Sequence, residues 1–361
     1  MEQDLLNKKE QRFEEVLALL SALIGIQSFS KEEEKTADLL EGYLIDRGLL
    51  VSRKGNNVWV KNRYFHPAKP TILLNSHHDT VKPNKGYTKD PFNPEVSDGK
   101  LFGLGSNDAG GALISLLITF LHYHDHEDLK YNLIWSGTAE EEISGKEGVE
   151  SILEHLGEIS FGIVGEPTGM KMAVAEKGLM VLDCYAKGQS GHAARDLGVN
   201  AIYKAMEDIE WIRNYQFEKV SDHLGPVKMS VTMINAGYQH NVIPDVCHYV
   251  VDVRTTDAYS NEETYEIINE HTHAEVNERS FRLSPSYVPK DHVLVKAAEE
   301  LKIEMFGSPT TSDQALMSFP TIKMGPGLSE RSHSADEFIF LDELREGPEK
   351  YIELLDKVLQ G

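Results

Sequence analysis

At Gly178 the order in which helical and strand patterns follow one another changes, and that change divides the chain. Before it the two periodicities alternate: helical spacing over 9–25 and 31–48, strand-like runs near 57–61 and 70–76, helix 109–124, strand 131–137, helix 147–156 and strand 160–165. Alternation of this kind predicts an α/β fold with a mixed, largely parallel sheet flanked by helices, because parallel neighbours need a crossover that a helix supplies. From Gly178 the pattern reads strand 179–186, helix 200–215, strands 227–234 and 246–254, helix 262–278 and strand 280–283. That β-α-β-β-α-β order is ferredoxin-like and closes on itself. An inserted domain is therefore predicted at 179–287. Residues 1–178 and 288–361 form the surrounding domain, with helices at 291–305 and in the ending DELREGPEKYIELLDKVL.

At 361 residues the chain is long enough for two such domains. Its formal charge of −22 argues against nucleic acid and anionic membrane as partners. The start, MEQDLLNKKEQRFEEVLALL, is charged from its second residue and lacks an apolar core followed by a cleavage site, so no export signal is expected. The longest apolar run, ALISLLITFL (112–121), is about half of what a bilayer requires and predicts a buried helix. Cys184 and Cys247 lie in strand-like segments outside any C-x-x-C pair. Buried thiols in a reducing, cytoplasmic compartment are the expectation.

Chemistry concentrates where strands end. Pro70–Leu74 reads as a buried strand running into Asn75-Ser76-His77-His78-Asp79. Side chains alternate along a strand, so His77 and Asp79 share one face and His78 takes the other. That pairing suits a metal ligand and the carboxylate that orients it; a turn capped by its own His and Asp is the alternative. GLGSNDAGG (103–111) carries Asp108 into a helix, WSGTAEEEISG (135–145) puts three glutamates after a strand, IVGEPTG (163–169) puts Glu166 after another, and RSHSADEF (331–338) sets His333 beyond a glycine-rich turn. Ligands of open α/β sheets bind at the carboxyl ends of strands. A His and carboxylate set without cysteine suits a catalytic divalent ion such as zinc.

With these motifs, and with GHAA (191–194), NVIP (241–244) and DVR (252–254) in the insert, nearly the whole chain resembles the dinuclear zinc hydrolases that include acetylornithine deacetylase, succinyl-diaminopimelate desuccinylase, aminoacylase and the glutamate-releasing carboxypeptidases. The resemblance implies a zinc-hydrolase catalytic domain carrying a lid and dimerisation domain. It implies two Zn²⁺ per chain, with Co²⁺ or Mn²⁺ able to substitute. His77 and Glu166 would hold one ion, Glu142 and His333 the other, and Asp108 would bridge them. Asp79 would orient His77, and Glu141 would be the general base. His192 would reach the partner's site in a homodimer formed through 179–287; a turn-stabilising histidine is its alternative reading.

The chain departs from the family in having Asp108-Ala109-Gly110-Gly111 where Asp-Met-Lys-Gly is frequent. Thr311-Ser312-Asp313 resembles the desuccinylases, but Ser308-Pro309-Thr310 replaces their paired glycines, and Thr311 and Ser312 become candidate substrate-binding residues on this resemblance. Arg254 and Asn241 are the candidates for reading a substrate α-carboxylate, a task for which the guanidinium fork is suited. An ion pair of Arg254 with Asp252 or Asp257 is the alternative. Glu166, where peptidase-like members tend to carry Asp, points to acyl removal. The local strings most resemble acetylornithine deacetylase, which implies hydrolysis of N2-acetyl-L-ornithine to ornithine and acetate in arginine biosynthesis. An N-succinyl amino acid desuccinylase or a related metallopeptidase is the second reading. The histidines of HYHDHEDLK (122–130) follow a helix end and are expected to be solvated.

Overall fold

The computed structural model describes residues 2–195 and 197–360. Contacts divide the chain into two compact units: Met1–Val174 with Val288–Phe306 and Ser312–Gly361, and Ala175–Tyr287 with Gly307–Thr311.

In the first unit the sheet runs in the order Val51–Lys54, Asn57–Lys61, Asn132–Thr138, Thr71–His77, Phe161–Gly165, Thr321–Met324 and Met172–Glu176. Its centre is parallel: Thr71–His77 pairs with Asn132–Thr138 and with Phe161–Gly165, which pairs in turn with Thr321–Met324. The flanks are antiparallel. All seven residues of Thr71–His77 are buried because both faces of the sheet are covered. Ile72 and Leu74 pack into the larger core with Leu20, Leu40, Leu113 and Leu355, while Leu73 packs on the opposite side with Ile134, Ile152 and Leu156. Helix Gly111–Tyr123 is buried along nearly its whole length, which explains its uninterrupted apolar run.

The second unit has the predicted β-α-β-β-α-β order. Strands Gly178–Lys187, Lys228–Ala236, Val246–Thr255 and Glu275–Glu278 form a four-stranded sheet in which the first is central, between the third and fourth, and the second is an edge. Helix Ala201–Asn214 is capped by Asn200, and Asn261–His271 starts on a capping box of Ser260 and Glu263. The last strand is displaced from its expected position. The segment read as the end of a helix leaves that conformation at Thr272, and Ala274 and Val276 bury alternately to make strand Glu275–Glu278. Residues 280–283 contribute one bridge, Leu283 to Leu179. Cys184 and Cys247 are buried and unbridged. Among the described residues no helix is long and apolar enough to cross a membrane.

Candidate metal centre

Every candidate metal ligand falls at the end of a central strand or in a loop against it. Strand Thr71–His77 delivers His77, strand Asn132–Thr138 leads into the glutamates, and strand Phe161–Gly165 is followed by Glu166. Asp108 lies in the tight turn Ser106–Gly110 before the buried helix. The Gly110-Gly111 pair has a packing reason: a Cβ on Gly110 would lie 2.5 Å from the Gly105 carbonyl oxygen and 2.6 Å from Leu20 Cδ1. A side chain at that position would push the Asp108 turn off the helix beneath it.

The side chains meet around one carboxylate. His77 Nε2 lies 3.6 Å from Asp108 Oδ1 and 3.8 Å from both Glu141 Oε2 and Glu166 Oε1. His333 Nε2 lies 3.6 Å from the other oxygen, Asp108 Oδ2, and 3.0 Å from Glu142 Oε2. Asp108 thus turns one oxygen to each histidine. Two ligand groupings result, His77 with Asp108 and Glu142, and His77 with Glu141 and Glu166. His77 Nε2 is buried and has no hydrogen-bond partner among the described residues. An orphaned buried nitrogen facing three carboxylates is costly unless a cation satisfies both. The donor set therefore fits a divalent ion.

The electrostatics agree. Burial holds the His77 imidazole down, but the charge of Glu141, with Asp108, Asp79 and Glu166, outweighs it and raises His77 well above its ordinary value. Burial, together with Glu166, Asp313 and Glu142, pushes Glu141 up against the favourable charge of His77. The hydrogen bond to Glu142 holds His333 at about 9. In the metal-free chain, protons take the place that a cation would fill.

The histidine pair separates as the alternation predicted. The two ring nitrogens of His78 lie 2.9 Å from Thr36 Oγ1 and 2.8 Å from the Asn56 carbonyl oxygen, so this residue ties elements together. His77 Nδ1 is 3.0 Å from the carbonyl oxygen of Asp79 and 3.4 Å from its carboxylate Oδ1. The Asp79 carboxylate does more: it accepts from Ser30 Oγ and from the backbone N–H groups of Glu141 and Glu142. One buried carboxylate thus fixes both the imidazole and the glutamate turn. Glu140, the first glutamate, is turned away in a left-handed conformation at φ 57°, and a Cβ on Gly145 would lie 1.8 Å from its Oε2.

Two carboxylates went unrecognised in the sequence. Glu337 is buried and accepts from Gly105 N–H at 3.0 Å and from Asn107 and Asp108 N–H at 2.9 Å, so it grips the turn that carries Asp108. Burial and the charge of Asp108 push it up to about 8. Its only sequence signal is its place four residues after His333. Asp313 accepts from Asn75 Nδ2 at 2.8 Å and Thr138 Oγ1 at 2.9 Å, and burial raises it to about 6.

The remaining candidates are distributed differently. Ser312 caps the short helical turn Asp313–Leu316. In the second unit His192 is exposed and pairs with Val242 in a two-stranded ribbon, its Nδ1 accepting from Ala194 N–H, and the Asn241 carbonyl accepts from Ala193 N–H. Arg254 donates to Asp252 through Nε (2.8 Å) and Nη2 (3.1 Å) and reaches Thr311 Oγ1 through Nη1 at 3.4 Å.

A family model described as Peptidase family M20/M25/M40 matches residues 73–357, a span that includes all five candidate ligands. The chain belongs to the M20/M25/M40 peptidase family. It is a metallohydrolase. It is 31% identical over 299 residues to an acetylornithine deacetylase of Proteus mirabilis, covering 76% of this chain and 77% of that one. It is 26% identical over 381 residues to a succinyl-diaminopimelate desuccinylase of Thioalkalivibrio sulfidiphilus, covering 96% and 99%. Among solved structures, aminopeptidase PepT of Bacillus cereus superposes with a TM-score of 0.77 at 19% identity, covering 96% of this chain and 98% of that one. The YXEP protein of Bacillus subtilis, a dinuclear metal-binding M20 peptidase, superposes at 0.72 with 17% identity, covering 97% and 99%. The mixed sheet flanked by helices is the fold these neighbours share.

Proposed function

We propose that the protein is a zinc-dependent amidohydrolase that removes a short acyl group from an N-acylated α-amino acid. The observation that carries the reading is Asp108, whose two oxygens face His77 and His333 separately while Glu141 stands beside the His77 side. In this reading His77 and Glu166 would hold one ion and Glu142 and His333 the other, with Asp108, which turns one oxygen to each histidine, as the ligand common to both. When bound, the ions polarise the amide carbonyl and acidify the attacking water. Glu141 accepts the water's proton and passes it to the departing amine nitrogen, a transfer that suits a carboxyl whose proton affinity is raised. Asp79 keeps Glu141 and His77 in register, and Arg254 takes the substrate α-carboxylate.

Similarity to an acetylornithine deacetylase and to a succinyl-diaminopimelate desuccinylase supports two candidate substrates, N2-acetyl-L-ornithine, consumed in arginine biosynthesis, and an N-succinyl amino acid. The assembly in this reading is a homodimer built on the second unit, in which His192 serves the partner's site. Support comes from the edge strand Lys228–Ala236, which exposes Met233 and Ile234, and from Tyr203 and Met206 on the exposed face of helix Ala201–Asn214. The two unbridged thiols support a cytoplasmic setting.

One experiment tests the whole reading. Zinc-loaded wild type hydrolyses N-acyl amino acids, the His192→Ala and Glu141→Gln chains each lose most of that activity, and mixing the two chains restores a share of it. Restoration is expected because one site of a mixed dimer holds both intact residues. A demonstrated heterodimer without recovery would assign His192 to its own chain, and an inactive wild type would remove the assignment.

A further inference from the structure

The turn that carries Glu141 and Glu142 is held through its backbone. Four consecutive N–H groups each donate to a buried side chain: Ala139 to Asn57 Oδ1 at 3.0 Å, Glu140 to Glu33 Oε1 at 3.2 Å, Glu141 to Asp79 Oδ1 at 3.0 Å and Glu142 to Asp79 Oδ2 at 3.2 Å. The bond at Glu140 is the critical one. Glu140 stands at φ 57° and Ser144 at φ 48°, left-handed conformations that a Cβ disfavours, so the turn keeps its shape only while surrounding groups hold it. Glu33 is fully buried. Its Oε1 also accepts from Lys31 N–H at 2.6 Å, and its Oε2 accepts from Asn56 Nδ2 at 2.9 Å. These donors are neutral, and a carboxylate buried on neutral donors is costly. An apolar side chain would avoid that cost but would leave the Lys31 and Glu140 N–H groups unsatisfied. The same short segment serves the turn twice, since Ser30 Oγ donates to Asp79 Oδ2 at 2.7 Å and so steadies the neighbouring acceptor.

We infer that Glu33 is a positioning residue of the metal centre, fixing through the Glu140 amide the direction in which Glu141 and Glu142 leave the turn. It acts on a backbone N–H rather than on a ligand side chain. The kinetic consequence rests on the proposed role of Glu141; the backbone consequence does not. A reacting group displaced by about 1 Å can lose on the order of 10² in rate, so a turn that relaxes at Glu140 is enough to impair the residue after it.

The test compares Glu33→Met with Glu33→Gln, side chains of nearly equal size of which only Gln keeps the acceptor; its NH₂ group would face Asn56, whose amide can turn to present its oxygen. In hydrogen-exchange mass spectrometry of chelated, folded protein, the amides of residues 139–142 should exchange on the order of tenfold faster in Glu33→Met and near the wild-type rate in Glu33→Gln. The control is Asn132→Ala, which removes buried hydrogen bonds to His66 and Lys69 at the other end of strand Asn132–Thr138. It should lower the melting temperature and leave those amides slow. Titration of chelated Glu33→Met with a divalent metal should show the ion that needs Glu142 bound about 10- to 100-fold more weakly. On whichever of N2-acetyl-L-ornithine and N-succinyl-L-norvaline the wild type hydrolyses, kcat of the metal-loaded variant should fall by a similar factor with KM little changed. Unchanged exchange in Glu33→Met, an equal rise in Asn132→Ala, or a Gln variant as loose as the Met variant overturns the inference. So do wild-type kcat and metal affinity in a Met variant whose amides have loosened. If Glu33→Met does not fold, Glu33→Asp, which withdraws the carboxylate by one methylene, takes its place. If the wild type hydrolyses neither substrate, the proposed activity fails, and the exchange and metal measurements decide the role of Glu33 by themselves.

Discussion

Neighbouring glutamates on one short turn are given different work by what each faces. Glu141 lies 3.8 Å from His77, and Glu142 lies 3.0 Å from His333. Replacing Glu141 with Gln should leave metal content at the wild-type level while kcat falls on the order of 10²–10⁴, the range for losing a general base. Glu142→Gln should instead lower the metal content itself. Parallel metal analysis and steady-state kinetics separate the two, and exchanged phenotypes would place the base one residue later. Part of this division was legible from the residues: strand alternation separated His77 from His78, and their different partners follow from it. That His77 Nδ1 lies nearer the Asp79 carbonyl than its carboxylate was not, because the chain turns immediately after the strand and periodicity ends there.

The segment from His333 to Glu337 acts as one device at the scale of an element. His333 faces Asp108 and Glu142, its carbonyl accepts from Asn84, Asp336 accepts from the backbone of Thr88 and Lys89, and Glu337 grips the Asp108 turn. In Glu337→Gln one side-chain oxygen becomes an NH₂ group, so one of the three backbone donors faces another donor. The ion shared by Asp108, Glu142 and His333 should bind about 10- to 100-fold more weakly, as is typical when a group supporting a ligand is lost. The ion on the His77 and Glu166 side, which shares Asp108 but not His333, should be weakened less, and titration of chelated protein with a divalent metal reads both. Equal loss of both ions, or of neither, would contradict the clasp. Sequence patterns could not show it, since Glu337 works through backbone amides more than two hundred residues earlier in the chain. The strands were unevenly legible for a related reason. Thr71–His77 and Asn132–Thr138 are long buried runs bounded by turns, whereas Met172–Glu176 and Thr321–Met324 are short and take their identity from the neighbours they pair with.

For the molecule as a whole, the crowded carboxyl and imidazole groups set how stability depends on pH. Without metal, Glu337 is held at about 8, Asp313 at about 6 and His333 at about 9, and His77 and Glu141 are raised as well. Each group keeps its proton to a higher pH folded than unfolded. The folded chain therefore binds more protons than the unfolded one from about pH 4 to 9, and stability falls as pH rises through that window. Asp79 and Asp108, held low, act on the acid side, where stability is lost as pH drops through their folded values. The melting temperature of chelated protein should thus decline from about pH 5 to 9, and its gap from metal-loaded protein should widen, because metal binding displaces these protons. A chelated melting temperature that is flat or rising over the same range would be the contrary result.

Four of the five candidate ligands precede the second unit in the chain, and His333 follows it. During synthesis the ribosome must complete the whole second unit before the last imidazole exists. Domains generally fold as they emerge, earlier ones first. The second unit is therefore ready to fold while the candidate metal centre still lacks His333, and on the proposed ligand assignment that centre is assembled as a late event. On the proposed assignment a growing chain would lack one ligand of the second ion, so hydrolytic competence would be deferred until His333 has been added.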